Sequence, residues 1–262
     1  MIAGMDLADN SVHLWFTPLS AVPASAIAGY QGLLSPSEQD RNLRFKTGPL
    51  RNANTVTRAM LRTVLSQYDD CPPQRWEFGA HDHGRPYIVN PASGLHFNLS
   101  HSIDWVVCAV SRIPVIGVDI ERCRRDVDVL RLAKRFFSAR EYRDVLQCEG
   151  EDRKQRFFDY WTLKEAYIKA RGEGISLGLD KFSFGFSANG AISIECDEQL
   201  QENTAAWHFR VSPRDSDHRL ALAAKPPRVT QAIDIQYFTT IPQLDVGPYT
   251  GPMRLQATEQ AM

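Results

Sequence analysis

The 262-residue chain contains no apolar run approaching the roughly 20 residues that a helix needs to cross a bilayer. Its opening, MIAGMDLADNSVHLWF, lacks the basic start and apolar stretch of a secretory signal. Neither sign of charge is in excess: 30 Lys and Arg stand against 31 Asp and Glu, a formal net charge of −1. This balance offers no general attraction for nucleic acid or an anionic surface, and leaves only a local basic groove open. The five cysteines (Cys71, Cys108, Cys123, Cys148, Cys196) are scattered, with no C-x-x-C. That excludes a disulfide frame and a spaced zinc site, and points to reduced thiols. A cytoplasmic protein is expected, with neither nucleic acid nor membrane among its partners. Two glycine-rich signatures are also missing, G-x-x-x-x-G-K-[ST] and G-x-G-x-x-G, so neither a P-loop nor a Rossmann enzyme is supported.

What the chain does have is an ordinary globular composition, 43% hydrophobic and 23% charged, with enough length for one large domain or two smaller ones. VHLWFTPL alternates apolar and polar and reads as an opening strand. LLSPSEQDRNLRF follows, with Ser35 as N-cap, Pro36 at the first helical position and Glu38 completing a capping box. ANTVTRAMLRTVLSQY is amphipathic, with Val56, Met60, Val64 and Leu65 on one face. RWEFGA, RPYIV, LHFNLSHS, WVVCAVS and IGVDIE read as strands, the first two joined by a Gly turn at HDHG. Two helices are expected next, one around Val127–Phe137 and one in SAREYRDVLQ, where Ser138 and Glu141 repeat the capping box. RKQRFFDYWTLKEAYIKARG is a long helix closed by Gly172. KFSFGFS, AISIEC, AWHFRVS and RLALAAK return to strand periodicity.

Helices followed by strands, twice over, predict an α+β fold of two halves, each an antiparallel sheet packed on helices. The expected divisions are residues 1–113, residues 114–225, and a Pro- and Gly-rich tail at 226–262 that reads as loosely ordered.

Several groups could carry chemistry. Asp119 and Glu121, two apart in IGVDIE, share a strand face between apolar Val118 and Ile120. Two such carboxylates repel unless a cation sits with them, and hard oxygen ligands suit Mg²⁺. Glu165 is a third acid, on the long helix, with Lys169 one turn beyond it. The plainer alternative for that pair is a solvated i,i+4 ion pair worth a few tenths of a kcal/mol. Ser100 and His101 end the strand LHFNLSHS, but neighbouring strand side chains diverge and no G-x-S-x-G elbow surrounds them. They fit phosphate contacts better than a hydrolase pair. His81, His83 and His96 lack the spacing of a metal site. Arg85, before Pro86, is a fixed cation; Arg41 and Arg44 could hold a further phosphate or form a solvated helix face.

Together FNLSHS, GVDIE, FFSAREY and WTLKEAYIKARGEGISLGLDKFSF resemble the 4′-phosphopantetheinyl transferases of the surfactin-activating (Sfp-like) type, from about residue 35 to about residue 225. The resemblance implies an enzyme that moves the phosphopantetheine arm of coenzyme A to a serine of an apo acyl or peptidyl carrier protein, releasing adenosine 3′,5′-bisphosphate. It also implies a monomer of two halves in pseudo-twofold arrangement, with coenzyme A and Mg²⁺ in the cleft between them. By the same resemblance Asp119, Glu121 and Glu165 are the metal ligands and Lys169 contacts the pyrophosphate. Glu165, Lys169 and Asp119 are then the catalytic group. Ser100, His101 and Arg85 contact the phosphates and nucleotide, and Glu141 is a further acid near the site.

The first helix departs from the family pattern. Glu38 and Arg41 stand where two cations are common, and a polar position falls at Asn54, which leaves Arg41, Arg44 or Arg51 to hold the 3′-phosphate. Tyr160 and Trp161 are assigned to packing beneath the long helix. ERCRRDVDVLRLAKRFF, Glu121–Phe137, is the expected docking surface for an acidic, helical carrier. A metal-dependent nuclease or phosphodiesterase is the competing reading, since strand carboxylates beside an E/K pair occur there too.

Overall fold

The computed structural model describes residues 4–123, 126–188, 190–228 and 232–249, together with the backbone of residues 256 and 257. The elements in chain order begin with β1 (Ser11–Pro18), α1 (Ala24–Tyr30), α2 (Pro36–Leu43) and α3 (Gly48–Leu65). Strands β2 (Glu77–Ala80), β3 (Pro86–Asn90), β4 (His96–His101), β5 (Trp105–Ser111) and β6 (Val115–Arg122) follow. Three helices come next: α4 (Val129–Phe136), α5 (Ala139–Gln147) and α6 (Gly150–Arg171). The chain then runs through β7 (Phe182–Phe186), β8 (Ile192–Cys196), β9 (His208–Pro213) and β10 (His218–Lys225). It ends with β11 (Asp234–Ile241), β12 (Asp245–Pro248) and β13 (Gln256–Ala257). This is a mixed α+β protein that divides into two compact units, Met1–Pro114 with Ile233–Thr250, and Val115–Ala232 with Gly251–Met262.

In the first unit a five-stranded sheet runs β12-β11-β1-β5-β4. Helix α3 lays a wide apolar stripe into its core: Val56, Met60, Leu61, Val64 and Leu65 are fully buried. They join Trp15, Val106, Cys108, Val110 and Phe97, the inward alternation of the strands. The capping box of α2 forms as its sequence predicts, Ser35 accepting from the amide of Glu38 and Glu38 accepting from that of Ser35. The turn before Arg85 puts Gly84 at φ +82°, which joins β2 and β3 as an antiparallel hairpin. Helix α1 lacks a capping box: its N-cap is Pro23, with no side-chain capping bond.

Two expectations fail here. The stretch 226–262 is not a loose tail throughout, because β11 and β12 complete the first sheet. Nor is that sheet purely antiparallel, since β11 pairs with β1 in parallel, Ser11 opposite Asp234 and Phe16 opposite Thr239. A parallel pair needs a long crossover, and here the whole of residues 19–233 supplies it. Side chains then fix the added strand: Phe238 stacks on Trp15 at 4.6 Å, and Thr17 donates to the Thr240 carbonyl at 2.7 Å. Residues 229–231, 250–255 and 258–262 of that stretch lie outside the described residues.

In the second unit the sheet runs β13-β9-β10-β6, with a separate β7–β8 hairpin. Helix α6 packs on the face that carries Val115, Gly117 and Cys123. Small residues permit this contact. A Cβ on Gly117 would collide with the Ala166 carbonyl and stand 2.5 Å from the Ala170 nitrogen. Ala223 and Ala221, opposite Gly117 and Asp119 in register, add nothing that would hold the helix off. Phe157, Leu163 and Tyr167 of α6 fill the core with Phe182, Phe184, Trp207 and Phe209. Gly172 ends the helix at φ +73°, as its sequence predicts. Helix α5 starts on the predicted box of Ser138 and Glu141.

Candidate active site

The odd-numbered residues of β6 face α6, so the alternation that places Gly117 against the helix also places Asp119 and Glu121 on that face. Asp119 is buried, at 4% exposure. Lys169 of α6 reaches it: the ammonium donates to Oδ1 of Asp119 at 2.7 Å and to the Val118 carbonyl at 3.2 Å. Glu165, one turn earlier, is held in the same seam. Burial, then the Asp119 carboxylate, push the Glu165 carboxyl up to about 6, with Glu121 adding to the rise and Lys169 opposing it. The four residues that the sequence singles out on β6 and α6 are therefore neighbours, and the i,i+4 pair of Glu165 and Lys169 is not on a solvated face.

The donor set fits a hard divalent cation: two strand carboxylates and one helix carboxylate, with no sulfur and no imidazole. Among the described residues no three His, Cys, Asp or Glu side chains are gathered tightly enough to cage a metal ion. Asp119 and Glu121 both raise the Glu165 carboxyl, the mark of like charges that a cation would relieve.

A second ion pair borders the same seam and has no signal in the sequence. Arg219 of β10 lies directly opposite Glu121 in register. Its Nε donates to Oδ1 of Asp159 on α6 at 2.9 Å. Burial raises the Asp159 carboxyl, and Arg219 opposes that rise. The seam thus runs from Lys169 and Asp119 at one end to Asp159 and Arg219 at the other. A strand partner is a long-range fact, and nothing in RLALAAK announces which residue of β6 will face it.

Glu141 turns out to be structural. It is fully buried, 2.8 Å from the ammonium of Lys164, and accepts from the amides of Ser138 and Phe184. Lys164 also donates to the carbonyls of Leu179 and Phe182, each at 2.7 Å. Trp161 packs among Phe136, Phe137 and Phe157, and the Tyr160 hydroxyl donates to Asp144 at 2.7 Å. Both therefore serve packing and bracing, as expected.

The remaining predicted residues belong to the first unit. Strand β4 sends Ser100 and His101 to opposite sides, Ser100 buried at 6% and His101 exposed at the strand end. Arg85 is half-buried and donates to the Pro114 carbonyl at 3.1 Å. Burial lowers its guanidinium pKa. Arg41 is exposed in the last turn of α2, and Arg44 and Arg51 are exposed as well. Glu38 is occupied within the unit: besides its capping bond it pairs with Arg62 at 2.6 Å and Arg58 at 3.9 Å. Asn54 donates to Asn42 at 3.0 Å, and Asn42 donates to Thr55 at 2.9 Å. Helix α4 bears Lys134 and Arg135 in its last turn, while Arg124 and Arg125 of the expected docking stretch lie outside the described residues.

Residues 115–223 match the family model of the 4′-phosphopantetheinyl transferase superfamily, and residues 24–113 match that of the 4′-phosphopantetheinyl transferase N-terminal region. The 4′-phosphopantetheinyl transferase HetI of Nostoc sp. is 39% identical over 174 residues, 66% of this chain and 73% of that protein. The 4′-phosphopantetheinyl transferase Sfp of Bacillus subtilis is 31% identical over 198 residues, 76% of this chain and 85% of its own. A putative 4′-phosphopantetheinyl transferase of Synechocystis sp. is 35% identical over 230 residues, 87% of this chain and 85% of its own.

Proposed function

We infer the reaction from one premise: this chain belongs to the 4′-phosphopantetheinyl transferase family, in its surfactin-activating (Sfp-like) branch. It transfers the phosphopantetheine arm of coenzyme A to carrier proteins. The nuclease reading has no support, since the matched relatives carry transferase names.

Within that reaction the residues take the following parts. Asp119, Glu121 and Glu165 would hold Mg²⁺, which when bound offsets the charge of the pyrophosphate and of the departing bisphosphate. Lys169, already fixed against Asp119 at 2.7 Å, presents a cation to the same phosphates from a rigid helix. The serine hydroxyl of the carrier must lose a proton as it attacks the β-phosphorus. Glu165 is the group assigned to accept it, as the helix carboxylate of the seam, held beside Asp119 and one turn before Lys169. Ser100, His101, Arg85 and Arg41 contact the phosphates and nucleotide of coenzyme A. Glu38 takes no part in this, being committed to Arg62 and the α2 cap. The enzyme acts as a cytoplasmic monomer on an acyl or peptidyl carrier, and its five free thiols suit a reducing compartment.

One observation carries the assignment of roles: a half-buried acid with a raised pKa, a fully buried acid and a lysine bonded to it share one strand–helix seam. Intact mass of an apo carrier protein incubated with the enzyme, coenzyme A and Mg²⁺ tests it. A gain of one phosphopantetheine mass, lost with EDTA and lost in Asp119→Ala and Lys169→Ala, is expected. A gain that persists in both variants would remove the seam from the mechanism.

A further inference from the structure

A separate cavity of about 450 Å³ opens between α5, α6 and β7 of the second unit. Its lining includes three guanidinium groups, Arg140, Arg143 and Arg156, against a single carboxylate, Asp144. Asp144 is already occupied, accepting from Arg156 at 3.0 Å and from the Tyr160 hydroxyl at 2.7 Å. Arg140 pairs at 2.5 Å with Glu195, which stands outside the lining on β8, and both side chains are at least half exposed. Arg143 makes one bond among the described residues, from Nε to the Ala139 carbonyl at 3.1 Å, and has no carboxylate of those residues within ion-pair reach. The lining carries a formal charge of +2, which falls to +1 when Glu195, paired with Arg140, is counted.

Two of the three guanidinium groups are held in place. Arg156 lies over the ring of Phe186, its carbon 4.6 Å from the centroid, while Asp144 fixes its other side. Arg140 lies against the backbone of β7 at Gly185, where a Cβ would come 2.9 Å from Nη2. Arg140, Arg143, Asp144 and Gln147 fall on one face of α5 at three- and four-residue spacing, as Arg156 and Tyr160 do on α6. A cavity within the size range of small-ligand sites, with cations in excess and two of its three guanidinium groups braced before binding, suits a compact anion with several oxygens.

We propose that this cavity binds a small phosphate ester or diphosphate, at a site separate from the carboxylate seam. Phosphate is favoured over carboxylate because its several oxygens and double charge can engage guanidinium groups from two helices at once. Bound there, it would bridge α5 to the N-terminal half of α6, the helix that carries Glu165 and Lys169 further along.

The test uses inorganic pyrophosphate as the probe, titrated calorimetrically into the full chain at low ionic strength in EDTA. Saturable binding is expected, weakened roughly tenfold by Arg143→Ala and further by Arg140→Ala with Arg143→Ala. Gly185→Ala, which displaces Arg140 and removes no cation, should weaken it as well. The binding that depends on Arg140 and Arg143 should persist in Lys169→Ala, apart from any pyrophosphate that the seam itself takes. Absence of saturable binding to the wild type would overturn the proposal. So would binding that vanishes in Lys169→Ala yet survives the loss of Arg140 and Arg143, or acetate binding as tightly as pyrophosphate. Arg140 and Arg143 are surface side chains, and matched thermal unfolding of the variants separates lost binding from lost fold.

Discussion

Lys169 and Asp119 are 50 residues apart in sequence and 2.7 Å apart in space, and their bond joins the long helix α6 to strand β6. Asp119 is buried, and Lys169 is the cation bonded to it. Lys169→Met should lower transfer by at least about 100-fold and destabilise the metal-free protein by roughly 1–3 kcal/mol, by taking a charged hydrogen bond from a buried carboxylate. Lys169→Met combined with Asp119→Asn should recover most of the stability and none of the activity. Urea denaturation in EDTA and single-turnover transfer measure the two separately. Recovery of activity in the double variant would mean that the lysine serves the fold alone.

Glu165 works against the stability of the metal-free enzyme. Its carboxyl rises from 4.5 in the unfolded chain to about 6 in the folded one, so between those values the folded state holds more of this proton. Stability should fall as pH rises through that window, and the full cost, about 2 kcal/mol, is present above it. Glu165→Gln should therefore unfold at higher urea than the wild type at pH 7.5 in EDTA, with the gap closing as pH falls toward 4.5, while losing transfer activity. A variant less stable than the wild type at pH 7.5 would contradict the burial and repulsion that raise this group.

Gly117 sets how close α6 can come to β6. Its missing side chain leaves room for the Ala166 carbonyl and the Ala170 nitrogen. Gly117→Ala should cost upwards of roughly 3 kcal/mol, because the obstacle is helix backbone that cannot rotate aside. Chemical denaturation and near-ultraviolet circular dichroism would register the loss; a fully stable, active Gly117→Ala protein would show that the helix can be lifted without harm.

Lys164 and Glu141 form an ion pair with both side chains at most 1% exposed. Burial lowers the lysine pKa and the Glu141 charge opposes that shift. Lys164→Met leaves a buried carboxylate without its cation and should destabilise by about 3–5 kcal/mol. Adding Glu141→Gln should return part of that loss. Equal stability of the single and double variants, measured by guanidinium unfolding, would argue against a coupled pair.

Local rules are legible in the sequence. Ser35 with Glu38 and Ser138 with Glu141 cap helices because their partners lie three residues away. Asp119 and Glu121 share a face because strand alternation requires it. Partnerships across the chain are not legible: Glu38 with Arg62, Glu141 with Lys164, and Asp159 with Arg219 each join residues 20 or more positions apart. The same holds for β11, whose alternation is ordinary but whose place beside β1 depends on Trp15 and Phe238 meeting. Ser100 and His101 illustrate a middle case: the dipeptide marks a strand end, yet alternation sends one side chain inward and the other out. Helix α1, begun by a proline with no side-chain cap, lacks the capping box that announces α2 and α5.

The parallel pairing of β1 with β11 has a consequence for how the protein is made. The first strand leaves the ribosome more than 200 residues before its neighbour, with the bulk of the second unit translated in between. Until residues 234–241 emerge, β1 carries an open edge that could recruit a strand from another nascent chain. Translation of the second unit therefore sets a waiting time, and a stop codon shortly after Lys225 would leave the carboxylate seam encoded in full but strand the first unit with that edge for good.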